Sequence, residues 1–312
     1  YTPAPMSTIT TDEKLAAAME AKHTPTRVTR VSGRKGKKLG AGKGGFTAET
    51  ADIHVLYQHS VQNVEAEIDF VDETFEAIRG RQGVSLREDF CGTGATACEW
   101  IQRRETNTAV GLDLDQPTLD WGAQHNVAPL SEEQQSRVRL LNRDVTQPGD
   151  ATGVDIVLAM NFSYWILQER AQMVAYFRSV RESLSDDGIF FLDFYGGYEA
   201  FQEMTEDREI DEPDAEFTYV WDQHKYDPMT GRMQCYIHFK FLDGTKIKQA
   251  FSYEWRLWTL PEIRELLSEA GFADVSVYWE GADEDGEGNG EFEPVSEGEA
   301  DPSFICYIAA QK

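Results

Sequence analysis

An α/β fold class follows from two features of this 312-residue sequence. Between Val84 and Trp121 the chain reads strand, glycine turn, helix, strand, acidic turn, helix, the repeating unit of a parallel sheet wound with helices on both faces. From Phe217 the apolar period shortens to two over three successive runs, which inserts an antiparallel meander beside that sheet.

Val84–Phe90 is a short extended run and Cys91-Gly92-Thr93-Gly94 a tight turn. Ala95–Arg104 is compatible with a helix, Ala109–Leu112 is a buried strand, and Asp113 stands at its carboxyl end. Two parallel strands joined by a helix, with glycines after the first and an acid after the second, make half of a nucleotide site. Glycines let the backbone come close to a ligand, and the acid accepts hydrogen bonds from ribose hydroxyls. Residues 92–97 satisfy the relaxed dinucleotide fingerprint G-x-G-x-x-G/A, with Asp113 about twenty residues on. Glu88, four residues before Gly92, favours another ligand, because an acid repels a pyrophosphate and attracts an ammonium group. A sugar, a base and a charged amino-acid tail fit better than two phosphates, which leaves NAD as the weaker reading.

These residues resemble the class I S-adenosylmethionine-dependent methyltransferases. Glu88-Asp89-Phe90-Cys91-Gly92-Thr93-Gly94 looks like the family's first motif, acid-x-Gly-x-Gly-x-Gly, with Phe90 in place of the first glycine. Val110-Gly111-Leu112-Asp113-Leu114-Asp115 is similar to its second-strand motif. The resemblance runs from about Thr50 to the C-terminus. It implies a seven-stranded Rossmann-like methyltransferase sheet, last strand antiparallel, with helices on both faces. Residues 47–200 and 259–312 would form the core that binds S-adenosylmethionine and releases S-adenosylhomocysteine. The cofactor-binding positions it implies are Glu88, Phe90, Cys91, Gly92, Gly94, Asp113, Leu114, Asp144, Val145, Met160 and Asn161. Among them Asp144 receives the adenine amino group, the next amide faces a ring nitrogen, and the segment from Asn161 faces the transferable methyl.

Composition bounds the partners. With 41% hydrophobic residues the chain can bury a real core. A net charge of −26 disfavours nonspecific attraction to nucleic acid or anionic lipid. It suits either an ordinary acidic enzyme or one adapted to high salt, where screening removes self-repulsion. No apolar run approaches the ~20 residues of a membrane span, and residues 1–21 lack the apolar stretch of a secretory signal. Cys91, Cys98, Cys235 and Cys306 have no C-x-x-C spacing, so neither a zinc site nor a disulfide scaffold is expected and a reducing cytoplasm is the default.

Residues 1–46 form a basic arm, with seven basic side chains and no acid between Arg27 and Lys43. It grips a polyanion such as RNA, or it folds against the protein's own acidic surface. Gly40–Gly44 lacks the spacing of a P-loop. Thr50–Arg79 has the apolar pattern of two helices. In the family a comparable helix caps the cofactor, which would bring Tyr57 or His54 to the substrate.

Val138–Asn142 reads as the third strand and Asp155–Met160 as the fourth, with Asn161-Phe162-Ser163-Tyr164-Trp165 at its carboxyl end, the edge where open α/β sheets hold ligands. An amphipathic helix over Gln168–Leu184 precedes the fifth strand, Ile189–Phe194, which leaves Asp193 and Tyr195 on the same edge. Residues 201–258 are the inserted antiparallel substrate-recognition sheet. Its alternating aromatics are the buried face of a small sheet or, more sharply, rings around an amine. Arg256 points away from Tyr253 and Trp255, to pair a substrate carboxylate or a neighbour such as Glu254. A helix over Thr259–Gly271, a sixth strand at Val275–Trp279, a solvated loop with nine acids over Gly281–Asp301 and a last strand at Phe304–Ala309 complete the chain.

The expected function is methyl transfer from S-adenosylmethionine to a small-molecule acceptor, with an amine nitrogen leading oxygen and sulfur. Tyr57, Tyr164, Tyr195 and Arg256 are the substrate-binding candidates. Direct displacement needs alignment and exclusion of water, and a base only for an acceptor that arrives protonated. No catalytic residue and no metal are assigned. RNA or protein methylation through the arm, and a non-catalytic nucleotide-binding role, stand as alternatives. Oligomeric state is left open, a homodimer included.

Overall fold

The computed structural model describes residues 46–212, 215–282 and 288–312. All but the last residue of the basic arm therefore lies outside the described residues. Two helices come first, α1 (Ile53–Ser60) and α2 (Val64–Arg79). The alternating unit follows as β1 (Ser85–Asp89), α3 (Ala95–Arg103), β2 (Thr108–Asp113), α4 (Gln116–Gly122), the short α5 (Glu132–Gln135), β3 (Val138–Asn142), β4 (Val154–Ala159), α6 (Arg170–Ser183) and β5 (Leu184–Gly196). The insert is β6 (Met204–Glu212), β7 (Ala215–Asp227), β8 (Arg232–Lys240) and β9 (Lys246–Arg256). The chain then returns through α7 (Leu260–Ala270), β10 (Asp274–Ala282), β11 (Gly288–Val295) and β12 (Phe304–Gln311).

The large sheet has the order β11-β10-β12-β5-β4-β1-β2-β3. Strands β1 to β5 pair in parallel, while β12 runs antiparallel to β5 and to β10, and β11 antiparallel to β10. Strand order reverses between β1 and β4, which opens a crevice outside their carboxyl ends. Eight strands stand where seven were expected, because part of the acidic stretch read as a loop forms β11. Within β11 Phe292 turns inward onto Phe70 and Tyr307, with ring centroids 5.9 and 4.5 Å away, while Glu291 and Glu293 face solvent. Charges along an outermost strand keep its unpaired edge from recruiting another strand.

The insert likewise has four strands in the order β6-β7-β8-β9, where three had been legible. The additional β6 is again a charged edge strand, with Ile210 as its buried apolar residue. An apolar alternation marks a strand with a buried face, and neither outer strand has enough of one to show it.

Three apolar clusters hold these layers together. One face of the large sheet packs on α6 and α7 through Val174, Phe177, Ile263 and Leu267. The other packs on α2 and α3 through Ile68, Phe75, Trp100 and Ile101. The small sheet closes over α1, with Leu56 against Phe217, Ile237 and Phe239. Each such side chain, fully buried, contributes roughly 1.5–3 kcal/mol. Beside the first strand's end Arg87 and Asp89 form a buried ion pair at 2.9 Å, completed by the Tyr176 hydroxyl donating to Asp89 and by Arg87 donating to the Ala151 carbonyl. No helix among the described residues is long and apolar enough to cross a membrane.

Candidate cofactor and acceptor site

At the end of β1 the backbone turns sharply. Phe90, Gly92 and Gly94 all take positive φ, at 56°, 52° and 67°. Phe90 therefore adopts the left-handed conformation that a glycine would supply without strain, and its ring packs edge-on to Tyr176 at 5.7 Å. Gly94 also has no room for a side chain, since a Cβ there would sit 2.5 Å from Leu140. Cys91 is buried behind the turn, its amide donating to the Leu112 carbonyl at 3.0 Å.

Asp113, at the end of β2, accepts from the Gly92 amide at 2.8 Å and from the Asp115 amide at 2.9 Å, one on each oxygen. A carboxylate oxygen has two lone-pair sites, so each keeps one for a further donor such as a sugar hydroxyl. Next to it Leu114 is 68% exposed, an apolar surface at the crevice with nothing packed over it. Asp144 turns after β3 and accepts from both the amide and the hydroxyl of Thr146, while Val145 is buried.

Glu88 is buried under the turn rather than open to the crevice, accepting from the Ala97 amide at 2.9 Å in the first turn of α3. Burial pushes its carboxyl up to about 8, against the pull of that amide. An ammonium group nearby would draw this carboxyl back toward ionisation.

Past the end of β4, buried Met160 leads into Asn161 and Phe162, two successive non-glycine residues with φ of 57° and 55°. Their amides donate at 2.7 and 2.9 Å to the two carboxylate oxygens of Asp193 on β5, which is fully buried. Strained backbone persists where its surroundings over-determine it, and here one carboxylate does so.

Helix α1 lies across the crevice. Trp121 donates to Asp52 at 2.7 Å, Gln58 donates to the Thr93 hydroxyl at 3.3 Å, and Asn126 donates to the Thr93 carbonyl at 3.0 Å. The helix is thereby tied directly to the glycine turn. On its inner side Tyr57 reaches a cavity of about 70 Å³ between the Asn161–Phe162 turn and the face of the small sheet. Strand register builds that face. Trp221 lies opposite Ile237, Cys235 opposite Tyr253 and Met233 opposite Trp255, so the odd-numbered residues of three strands form one wall.

The sequence candidates divide on this cavity. Tyr57 and Tyr195 line it, with Asn161 and Phe162 at the end toward β4. Tyr164 does not: it is fully buried, its hydroxyl donating to the Asp193 carbonyl at 2.8 Å. Arg256 does not either, because strand alternation sends it to the other side, 3.7 Å over the Trp258 ring and 3.1 Å from Glu262. His54 packs at 5.0 Å on Trp121. Trp165, Tyr219 and Trp221 join the wall, as does Arg208 of β6, which donates to the Ser60 carbonyl and lies 5.2 Å over Tyr219. Arg208 faces the cavity because β6 pairs with β7, a strand the apolar pattern did not disclose.

The comparisons agree with this architecture. Residues 91–190 match the family model described as a methyltransferase domain. No curated protein matches the sequence. Among solved structures, an S-adenosylmethionine-dependent methyltransferase from Clostridium acetobutylicum has a TM-score of 0.60 at 17% identity, over 83% of this chain and 96% of its own. An amino pentose methyltransferase from Micromonospora echinaspora gives the same score and identity, over 83% and 95%. A sugar N-methyltransferase from Streptoalloteichus follows at 0.56 and 13%, over 92% and 99%. At these identities the likeness is one of fold. Residues 91–190 are thus similar in sequence to a methyltransferase domain, and the chain shares the fold of the solved S-adenosylmethionine-dependent methyltransferases.

Proposed function

We propose that the chain transfers a methyl group to a small-molecule acceptor, an amine nitrogen, held in the cavity between the two sheets. S-adenosylmethionine, when bound, supplies a methyl activated by a positively charged sulfur. The residues present fit it. Asp113 has lone pairs left for ribose hydroxyls, Leu114 offers an uncovered apolar face to a base, and Asp144 with the Val145 amide is our candidate for the base's polar edge. We assign the amino-acid part to the positive-φ turn from Phe90 to Gly94, with Glu88 beneath as its counter-charge.

The observation that carries the acceptor class is the lining of the cavity. Its titratable side chains, among the described residues, are Tyr57, Tyr195, Arg208, Tyr219 and Tyr253, with no carboxylate and no imidazole in the wall. Burial pushes the phenols up, so each stays protonated near neutral pH. A wall without a base suits a nucleophile that reacts from its neutral form, as a free amine does, whereas a hydroxyl must give up its proton to a base as it attacks. The amine reading also agrees with the amino pentose and sugar N-methyltransferases that share the fold. The chain's own residues then align and exclude water: the Asn161–Phe162 turn sets the floor, α1 the lid and the aromatic sheet the far wall. We assign residues 201–258 to acceptor recognition on this basis, and the reaction to a reducing cytoplasm on the four buried, free thiols.

The test is calorimetric titration with S-adenosylhomocysteine and, in parallel, NAD, on wild type and Asp113→Ala. Micromolar binding of S-adenosylhomocysteine alone, weakened in the variant, is the expected result. Binding of NAD instead would refute the assignment.

A further inference from the structure

We propose that the aromatic wall of this cavity is a cation site for the alkylammonium ion that methyl transfer creates, with the Tyr195 hydroxyl as its polar anchor. The inference rests on the amine reading above and specifies how the acceptor is recognised. The acceptor nitrogen enters as the free base, its proton left in solvent. Its lone pair forms the new N–C bond while the methyl–sulfur bond breaks with its electron pair staying on sulfur. Positive charge thus moves from sulfur onto nitrogen, inside the cavity.

The wall is built to receive that charge. Trp255 is its hub, with ring centroids 4.5 Å from Tyr253, 5.8 Å from Trp165, 6.0 Å from Trp221 and 6.4 Å from Phe162. Ring faces attract a cation within about 6 Å of the centroid, most strongly when water is excluded. A cavity of about 70 Å³ is several times what one water requires, roughly 10–15 Å³. The protein already places one cation on this wall, the Arg208 guanidinium over Tyr219.

The surrounding charges lean the same way. Glu67 and Asp193 act electrostatically on Tyr57, and Glu199 and Glu206 on Tyr195, against Arg208 on Tyr219. Acidic side chains thus outnumber the one guanidinium around the cavity.

Tyr195 supplies direction. It is 7% exposed and lines the cavity, and its hydroxyl has no hydrogen-bond partner among the described residues. A buried polar group left unpaired is costly, so such a hydroxyl in a cavity wall points to a ligand atom that completes it. An N–H of the acceptor answers the Tyr195 oxygen, which orients the nitrogen and makes a residual N–H part of the specificity.

The experiment is a fluorescence titration of the full chain saturated with S-adenosylhomocysteine, reading the tryptophans of the wall. The probes are dimethylammonium chloride, tetramethylammonium chloride, neutral tert-butanol and, as ionic-strength control, sodium chloride. Both ammonium ions are expected to bind saturably, about tenfold more tightly than tert-butanol. Trp255→Leu should weaken both ions about tenfold, and Trp255→Phe, which keeps a ring, less. Tyr195→Phe should weaken dimethylammonium about fivefold and leave tetramethylammonium, which has no N–H, unchanged. Equal binding of tert-butanol and the ions, or no saturable response, overturns the cation site. An equal effect of Tyr195→Phe on both ions overturns the anchor. If S-adenosylhomocysteine itself does not bind, the cofactor assignment has failed; if it binds and the ions do not, only this inference has.

Discussion

At the carboxyl edge of the large sheet backbone amides are bonded to strand-end carboxylates, whereas the small sheet presents rings from neighbouring strands. The first region works by strain and hydrogen bonds. Phe90, Gly92, Gly94, Asn161 and Phe162 all hold positive φ within two turns, and Asp113 and Asp193 tie those turns down. The second works by register, with no strained residue needed among Trp221, Tyr253 and Trp255. A turn geometry is written in a few consecutive residues, but a wall of side chains depends on which strand pairs with which. The two regions should therefore fail differently when altered.

The largest effect is expected at Asp193. Asp193→Ala removes the acceptor of two amides and leaves both left-handed residues unsupported, so stability should fall by about 3 kcal/mol in urea unfolding. A loss under 1 kcal/mol would mean the turn is held by something else. Asp113→Ala should weaken S-adenosylhomocysteine roughly thirtyfold, about 2 kcal/mol, with little change in the response of the aromatic wall to tetramethylammonium. Equal damage to both readouts would erase the distinction between the regions.

A finer prediction concerns Phe90. Phe90→Ala loses the ring against Tyr176 and keeps the strained φ, whereas Phe90→Gly loses the ring and relieves the strain. The glycine variant should be more stable than the alanine variant by about 1 kcal/mol in thermal unfolding. The reverse order would remove the argument that this position mimics a glycine.

How much was legible in the sequence follows from the same contrast. The stretch from Glu88 to Gly94, Asp113 at the end of β2 and the Asn161 turn were readable because strand, turn and ligand edge are local. Phe90 broke the glycine pattern, yet its φ of 56° keeps the backbone path the glycine would have given. Tyr164 and Arg256 stood at legible edges, but their direction depends on contacts far along the chain, with Asp193 for one and with Trp258 and Glu262 for the other. Arg208 was hidden because β6 is a charged outer strand with too few apolar residues to show an alternation. Asp193 was visible on the ligand edge without a role, and the signal that supplies one is the left-handed pair it caps.

The smallest expected effect is a proton. Burial holds the Glu88 carboxyl at about 8 against its ordinary 4.5, so the folded protein keeps a proton at pH 7 that the unfolded chain has released. Its contribution to stability is therefore lost as pH rises from 4.5 toward 8, and Glu88→Gln should flatten that slope. A ligand carrying an ammonium group lowers this carboxyl and expels the proton. Titration of S-adenosylhomocysteine at pH 7 should then give heats that differ between phosphate and Tris buffers, a difference the Glu88→Gln variant lacks. Identical heats for wild type in the two buffers would place the ammonium elsewhere.

The most direct test of the whole account is mass spectrometry of a panel of small amines incubated with S-adenosylmethionine and the full chain, beside matched alcohols and thiols. The expected result is an amine that gains one methyl group, with S-adenosylhomocysteine formed in equal amount, and a yield at subsaturating concentrations reduced in both Asp113→Ala and Trp255→Leu. Methylation of an alcohol or thiol in preference to every amine, or cofactor binding with no methyl transferred to any of them, would contradict it.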